Sequence, residues 1–97
     1  MIAKLTEAQR AEALEALPGW SVVEGRDAIF REVKFKDFKA AFAFMTRVAM
    51  EAEKMNHHPR WSNVWNGVEI WLNTHDAGDI VTEKDHLLAA RIDAIAG

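Results

Sequence analysis

Asn66-Gly67, set between two alternating apolar runs, constrains the fold of this chain more than any other feature. Asn-Gly favours a two-residue hairpin loop because both central residues of a type I′ turn need positive φ. With Asn66 and Gly67 as that loop, Trp65 faces Val68, and counting outward sets His58 directly opposite His75. Opposed residues on an antiparallel pair hold their Cβ atoms roughly 4.5 to 5.5 Å apart, so two imidazoles distant in sequence become one site. Glu53 and His57 lie just upstream of His58-Pro59. One hairpin therefore gathers three histidines and a carboxylate, a cluster suited to moving protons.

Several function classes are excluded by composition. The 97 residues make one domain, read as spanning 1–97, near the small end of what buries a useful core without staples. With no cysteine, a disulfide scaffold, a thiolate zinc site and a cysteine nucleophile are all ruled out. A net charge of -3 and a pI of about 5.8, with Lys and Arg interleaved among acids, give no basic face for nucleic acid. Met1 to Leu5 is too short for the apolar core of a signal peptide, and Glu7 follows at once. No run approaches the roughly 20 apolar residues of a membrane span. The simplest expectation is a soluble cytoplasmic protein with no membrane partner.

The pattern along the chain predicts an N-terminal helix followed by β-β-α-β-β-α. Thr6-Glu7-Ala8-Gln9 has the form of a capping box, with Ala8, Ala11 and Leu14 at helical spacing until Pro18-Gly19. Trp20 to Glu24 and Ala28 to Phe35, separated by Gly25-Arg26-Asp27, read as a hairpin. Asp37 caps a core helix whose stripe is Phe38, Ala41, Phe42, Met45, Val48, Ala49 and Ala52. After Pro59 the period switches to two. Val68, Ile70 and Leu72 share one face with Trp61, Asn63 and Trp65, which gives Trp61 and Trp65 structural roles. That parity puts His58 and His75 on the other face, with Val64 and Trp71. Thr82 and Asp85 open a last helix with Leu88, Ile92 and Ile95 as its buried stripe, and Asp85 reads as a helix N-terminal carboxylate. His86 in its first turn reads as a surface or structural residue.

Hairpins separated by helices imply an α+β fold, a four-stranded antiparallel sheet with helices on one face. The uncovered face, half apolar with Val64 and Trp71, suits a ligand or a second subunit, and unpaired edge strands add a route to a homo-oligomer.

Glu53-Lys-Met-Asn-His57-His58-Pro59, Trp65, His75 and Asp85 together resemble the motif of the pterin-4a-carbinolamine dehydratases. The likeness extends over most of the chain through Leu17-Pro18-Gly19-Trp20, Phe35-Lys36-Asp37-Phe38, Trp61-Ser62-Asn63-Val64-Trp65-Asn66, Thr74-His75-Asp76, Leu88-Ala89 and Ile92-Asp93. The resemblance implies a dehydratase acting on 4a-hydroxytetrahydropterin, the carbinolamine released by aromatic amino acid hydroxylases, in tetrahydrobiopterin recycling. It further implies a pterin substrate, no metal or redox cofactor, and assembly as a homodimer or homotetramer. Some animal members also serve as a dimerisation cofactor for a homeodomain transcription factor; nothing in this sequence supports that second role.

Imidazole, with an ordinary pKa near 6.5, can both deliver and accept protons at neutral pH. On this likeness His58 is the principal acid or base, His75 its cross-strand counterpart and His57 a contributor to pterin binding or the proton path. Glu53 would orient a histidine or bond the amino-pyrimidine edge, or be no more than a solvated helix-end acid. Trp20 and Trp71 are the stacking surfaces. A zinc site built from His58, His75 and Glu53 or Asp76 is the competing reading. Two alternatives of other classes stay open, a non-catalytic interaction module and a pterin-binding protein of another pathway. The chain departs from the family pattern at Trp65, where many relatives carry tyrosine, and in Ala77-Gly78-Asp79-Ile80-Val81, which lacks a second glycine and runs one residue longer.

Overall fold

The computed structural model describes residues 4–97, so the N-terminal stretch read for a leader lies partly outside the described residues. Its elements run α1 (Glu7–Glu15), β1 (Ser21–Val22), β2 (Ile29–Lys34), α2 (Phe38–Met55), β3 (Arg60–Val64), β4 (Gly67–Leu72), a 3-10 turn (His75–Ala77) and α3 (Glu83–Ala96). The order is the expected one, an α+β fold with a four-stranded antiparallel sheet arranged β1-β2-β4-β3. Each helix starts where a side chain satisfies its orphan amides. Thr6 and Thr82 form capping boxes with Gln9 and Asp85, and Asp37 accepts from the Ala40 amide.

The core lies between the sheet and the helices. Val68, Ile70 and Leu72 of β4 face it with Ile29 and Val33 of β2, against Phe44 and Val48 of α2 and Leu88 and Ile92 of α3. Ile70, Leu88 and Ile92 are fully buried, each contributing about 1.5 to 3 kcal/mol of apolar transfer.

The second hairpin turns one residue earlier than Asn66-Gly67 predicts. Val64 pairs with Gly67, the turn residues are Trp65 and Asn66, and Trp65 takes φ 48. The cause is β2. Gly67 pairs with Lys34, the Phe35 amide donates to the Asn66 carbonyl at 2.9 Å, and the Asn66 side chain donates to the Phe35 carbonyl at 2.9 Å, which recruits Gly67 into the central strand. Asn63 then closes the turn by donating to the Trp65 and Gly67 carbonyls. Moving the turn by one residue moves the pairing by two, so every side chain keeps its face. Trp61 accordingly packs on the core, whereas Trp65 sits at the exposed tip and is not a core residue.

The buried stripe of α2 is also rotated. Ala41, Phe44, Val48 and Ala52 are buried, while Phe38 and Phe42 stay half-exposed and pack on each other with ring centroids 5.7 Å apart. Spaced by three, four and four, residues 41, 44, 48 and 52 form a narrower seam than the one predicted, and Phe44 fills it by packing on Phe35.

Candidate active site

β3 and β4 are in register only as far as Arg60 and Trp71, so His58 and His75 are not a cross-strand pair. Both lie in the segments that enter and leave this end of the hairpin. Asn56 ends α2 in the left-handed region (φ 52), and the following amide, that of His57, returns to the Ala52 carbonyl at 3.0 Å. This Schellman-type reversal drops His57 inward while His58 remains exposed. On the other side, the Thr74 amide donates to the Ile80 carbonyl at 2.7 Å and the Asp79 amide to the Thr74 carbonyl at 3.0 Å. Gly78 (φ 96) and Asp79 (φ 60) make that tight return possible.

Each of the three histidines spends one ring nitrogen on a carboxylate. His57 Nε2 lies 2.5 Å from Asp85 Oδ1, His58 Nε2 2.8 Å from Glu53 Oε1, and His75 Nδ1 2.8 Å from Asp79 Oδ1. An ionised carboxylate only accepts, so the bonded nitrogen carries the hydrogen and the opposite nitrogen is left for a ligand.

The first pair is buried and the others are not. Asp85 is 0% exposed, and its Oδ2 accepts from the Thr82 amide at 2.9 Å and from Thr74 Oγ1 at 2.8 Å. Thr74 has a single hydroxyl proton and gives it to Asp85, so Thr82 Oγ1 is the donor in their 2.6 Å contact. The capping box that starts α3 thus also holds an imidazole. Glu53 and His58, like Asp79 and His75, meet at the surface, where ion pairs contribute little to stability. The hydrogen bond that His75 donates to Asp79, and the charge of that carboxylate, raise the pKa of His75 above the ordinary value of 6.5.

All three histidines line one open cavity of about 470 Å³. Trp71 lines it as well, tilted against Phe30 with ring centroids 5.2 Å apart, and so do Arg26, Arg60 and Lys84. Trp20 does not belong to it. Its ring is only 5% exposed in the core, and its indole nitrogen donates to Asp93 Oδ1 at 2.9 Å, so it offers no face for stacking from the cavity. Glu53 does not line the cavity and reaches it only through its bond with His58. Among the described residues no three histidines and carboxylates converge as a metal-holding group.

Sequence reasoning placed Asp85 at the helix start but missed its bond to His57, and it missed Asp79 as the partner of His75. The spacing of His75 and Asp79 was available as a signal; the contact between Asp85 and His57 joins residues 28 positions apart and carried none.

The sequence matches the family model described as pterin 4 alpha carbinolamine dehydratase over residues 3–95. A protein of Rhizorhabdus wittichii provisionally named pterin-4-alpha-carbinolamine dehydratase is 58% identical over 95 residues, covering 98% of this chain and 97% of its own. A protein of the same provisional name from Rhodopseudomonas palustris is 56% identical over 97 residues, covering 100% and 95%. Among solved structures, a Brucella melitensis protein described as a transcriptional coactivator/pterin dehydratase superposes with a TM-score of 0.93 at 50% identity, over 98% of this chain and 100% of that one. A pterin dehydratase-like RuBisCO assembly factor of the alpha-carboxysome superposes with a TM-score of 0.69 at 26% identity, over 81% and 90%.

Proposed function

The chain belongs to the pterin 4 alpha carbinolamine dehydratase family, and on that premise we propose that it dehydrates a 4a-hydroxytetrahydropterin to the quinonoid dihydropterin and water by histidine acid/base catalysis. The observation that carries this reading is the set of three imidazoles, each braced by a carboxylate and each facing the cavity that Trp71 lines.

The reaction breaks the bond between carbon 4a and its hydroxyl oxygen and forms a C=N bond to the neighbouring ring nitrogen. A proton must reach the leaving oxygen, and another must leave that nitrogen. His75, protonated to higher pH by Asp79, suits the acid. His57, fixed by buried Asp85 so that Nδ1 is its free nitrogen, suits the base, with His58 completing the proton path. Burial gives His57 a larger share than the sequence alone assigned to it. Trp71 offers a stacking face for the pterin ring, and Glu53 acts by orienting His58.

We read the physiological setting as tetrahydrobiopterin recycling in the cytoplasm, beside an aromatic amino acid hydroxylase that releases the carbinolamine, with the chain working as a homodimer or homotetramer. This setting rests on the family likeness. Among the described residues no helix is long and apolar enough to cross a membrane. A non-catalytic pterin-binding or protein-interaction module is the alternative, favoured by the exposure of Val64 and Trp65 at the hairpin tip. Generating the carbinolamine with a phenylalanine hydroxylase and following its ultraviolet conversion separates the two. The dehydratase reading expects dehydration well above the spontaneous rate; a rate equal to the blank would leave the interaction module.

A further inference from the structure

Although the chain carries a net charge of -3, three cations from three separate elements line the histidine cavity: Arg26 between β1 and β2, Arg60 at the start of β3, and Lys84 in the first turn of α3. None of the three has a carboxylate within ion-pair distance among the described residues. Two of the three acids adjacent to them in sequence are committed elsewhere, and the third, Glu83, does not line the cavity. Asp27, next to Arg26, pairs with Arg10 at 2.6 Å, and Asp85, next to Lys84, is buried against His57 and the two threonines. Of the two carboxylates that line the cavity, Asp79 is held by His75, which leaves Asp76 alone against three positive charges.

Arg60 is the cross-strand partner of Trp71, so a ring stacked on that indole would carry its substituents past a guanidinium. A neutral polyol chain calls for hydroxyl partners, not for three unpaired cations. Guanidinium and ammonium groups converging on one cavity suit a phosphate or carboxylate.

We propose that the cavity takes a pterin whose 6-substituent is anionic, with Arg60, Arg26 and Lys84 as the subsite for that anion. This rests on the pterin-dehydratase reading for the reaction alone and sets an anionic pterin in place of tetrahydrobiopterin, whose 6-substituent is neutral. Charge-assisted hydrogen bonds make the phosphate-bearing ligand about tenfold tighter or more than its neutral parent. The preference falls as ionic strength rises, since the subsite is open to solvent.

The test is binding of 6-hydroxymethylpterin, 6-hydroxymethylpterin phosphate and 6-carboxypterin to the full chain by calorimetry, at low and high salt, with inorganic phosphate as a competitor. The result expected is a preference for both anionic ligands over the parent, shrinking with salt and falling toward one in Arg60→Gln and Arg26→Gln. The ratio of affinities normalises for any general loss of binding in a variant. If phosphate exceeds carboxylate, the subsite is tuned to phosphate; the reverse identifies a carboxylate. Equal binding of all three pterins would overturn the anionic subsite and leave the pterin reading standing. Phosphate alone binding as tightly as its pterin ester would overturn the pterin reading and with it this substrate class. No binding of any of the three would overturn both.

Discussion

At the scale of single residues, the site is built from histidine–carboxylate pairs whose differences in burial set their uses. Asp85 receives three donors, from His57, Thr74 and the Thr82 amide. Asp85→Asn offers one acceptor oxygen in place of two, so at least one buried donor loses its partner, at about 1 to 3 kcal/mol. The amide can also donate to His57 and reverse its tautomer, so turnover should drop about 100-fold or more while the fold survives, checked by dehydration rate beside chemical denaturation. Asp79 acts in the open. His75 is raised above its unfolded value by that carboxylate, so the stabilisation from the pair is fully present below pH 6.5 and is lost as pH rises through the raised folded pKa. Asp79→Asn should return His75 toward 6.5 in an NMR titration, and the alkaline limb of the rate profile should move down with it. Of these pairings the sequence disclosed only candidates. Glu53, His57 and His58 were legible because they sit in one local run, and His75 because the hairpin pattern brings it to the same end, whereas the contact between His57 and Asp85 depends on how α3 docks.

At the scale of elements, tertiary pairing overrode a strong local preference. Asn66-Gly67 favours its own turn, yet the ladder between β2 and β4 claims Gly67 and pushes the turn back to Trp65 and Asn66, placing a bulky residue in the left-handed region. The side chain of Asn66, bonded to the Phe35 carbonyl, holds that choice. Asn66→Ala should cost about 1 kcal/mol in urea unfolding. Caps and alternation made the element order and the facing of β4 readable, because they are local and periodic. The register of the hairpin and the rotation of α2 were not readable, because partner strands decide the first and the shape of the sheet decides the second. Trp20 shows the same limit. The family likeness makes Trp20 a stacking surface, but its bond to Asp93 of α3 draws it into the core.

At the scale of the whole molecule, α1 is the weakest attachment. It has no fully buried residue and is held by Leu14 and by the pair of Arg10 with Asp27. Beneath it, His86 Nε2 is buried with no hydrogen-bond partner among the described residues, beside a cavity of about 40 Å³ lined by Arg10, Leu14 and Asp27. Burial pushes the pKa of His86 below 6.5, with Arg10 adding to the shift and Asp85 and Glu83 opposing it. A base whose folded pKa is lowered binds its proton more readily when unfolded, so stability falls as pH drops from 6.5 through the folded value. His86→Leu should flatten that acid-side loss in thermal melts between neutral and mildly acidic pH; an unchanged slope would place the acid sensitivity elsewhere.

All three scales meet in one claim, that the histidines of the hairpin cavity carry the proton transfers. The most direct measurement is the rate of carbinolamine dehydration by a chain with His57→Ala, His58→Ala and His75→Ala combined, compared with wild type and with the spontaneous reaction, its fold verified by circular dichroism. The folded variant should fall to the spontaneous rate while the wild type stays well above it. A folded variant that keeps the acceleration of the wild type would contradict that claim.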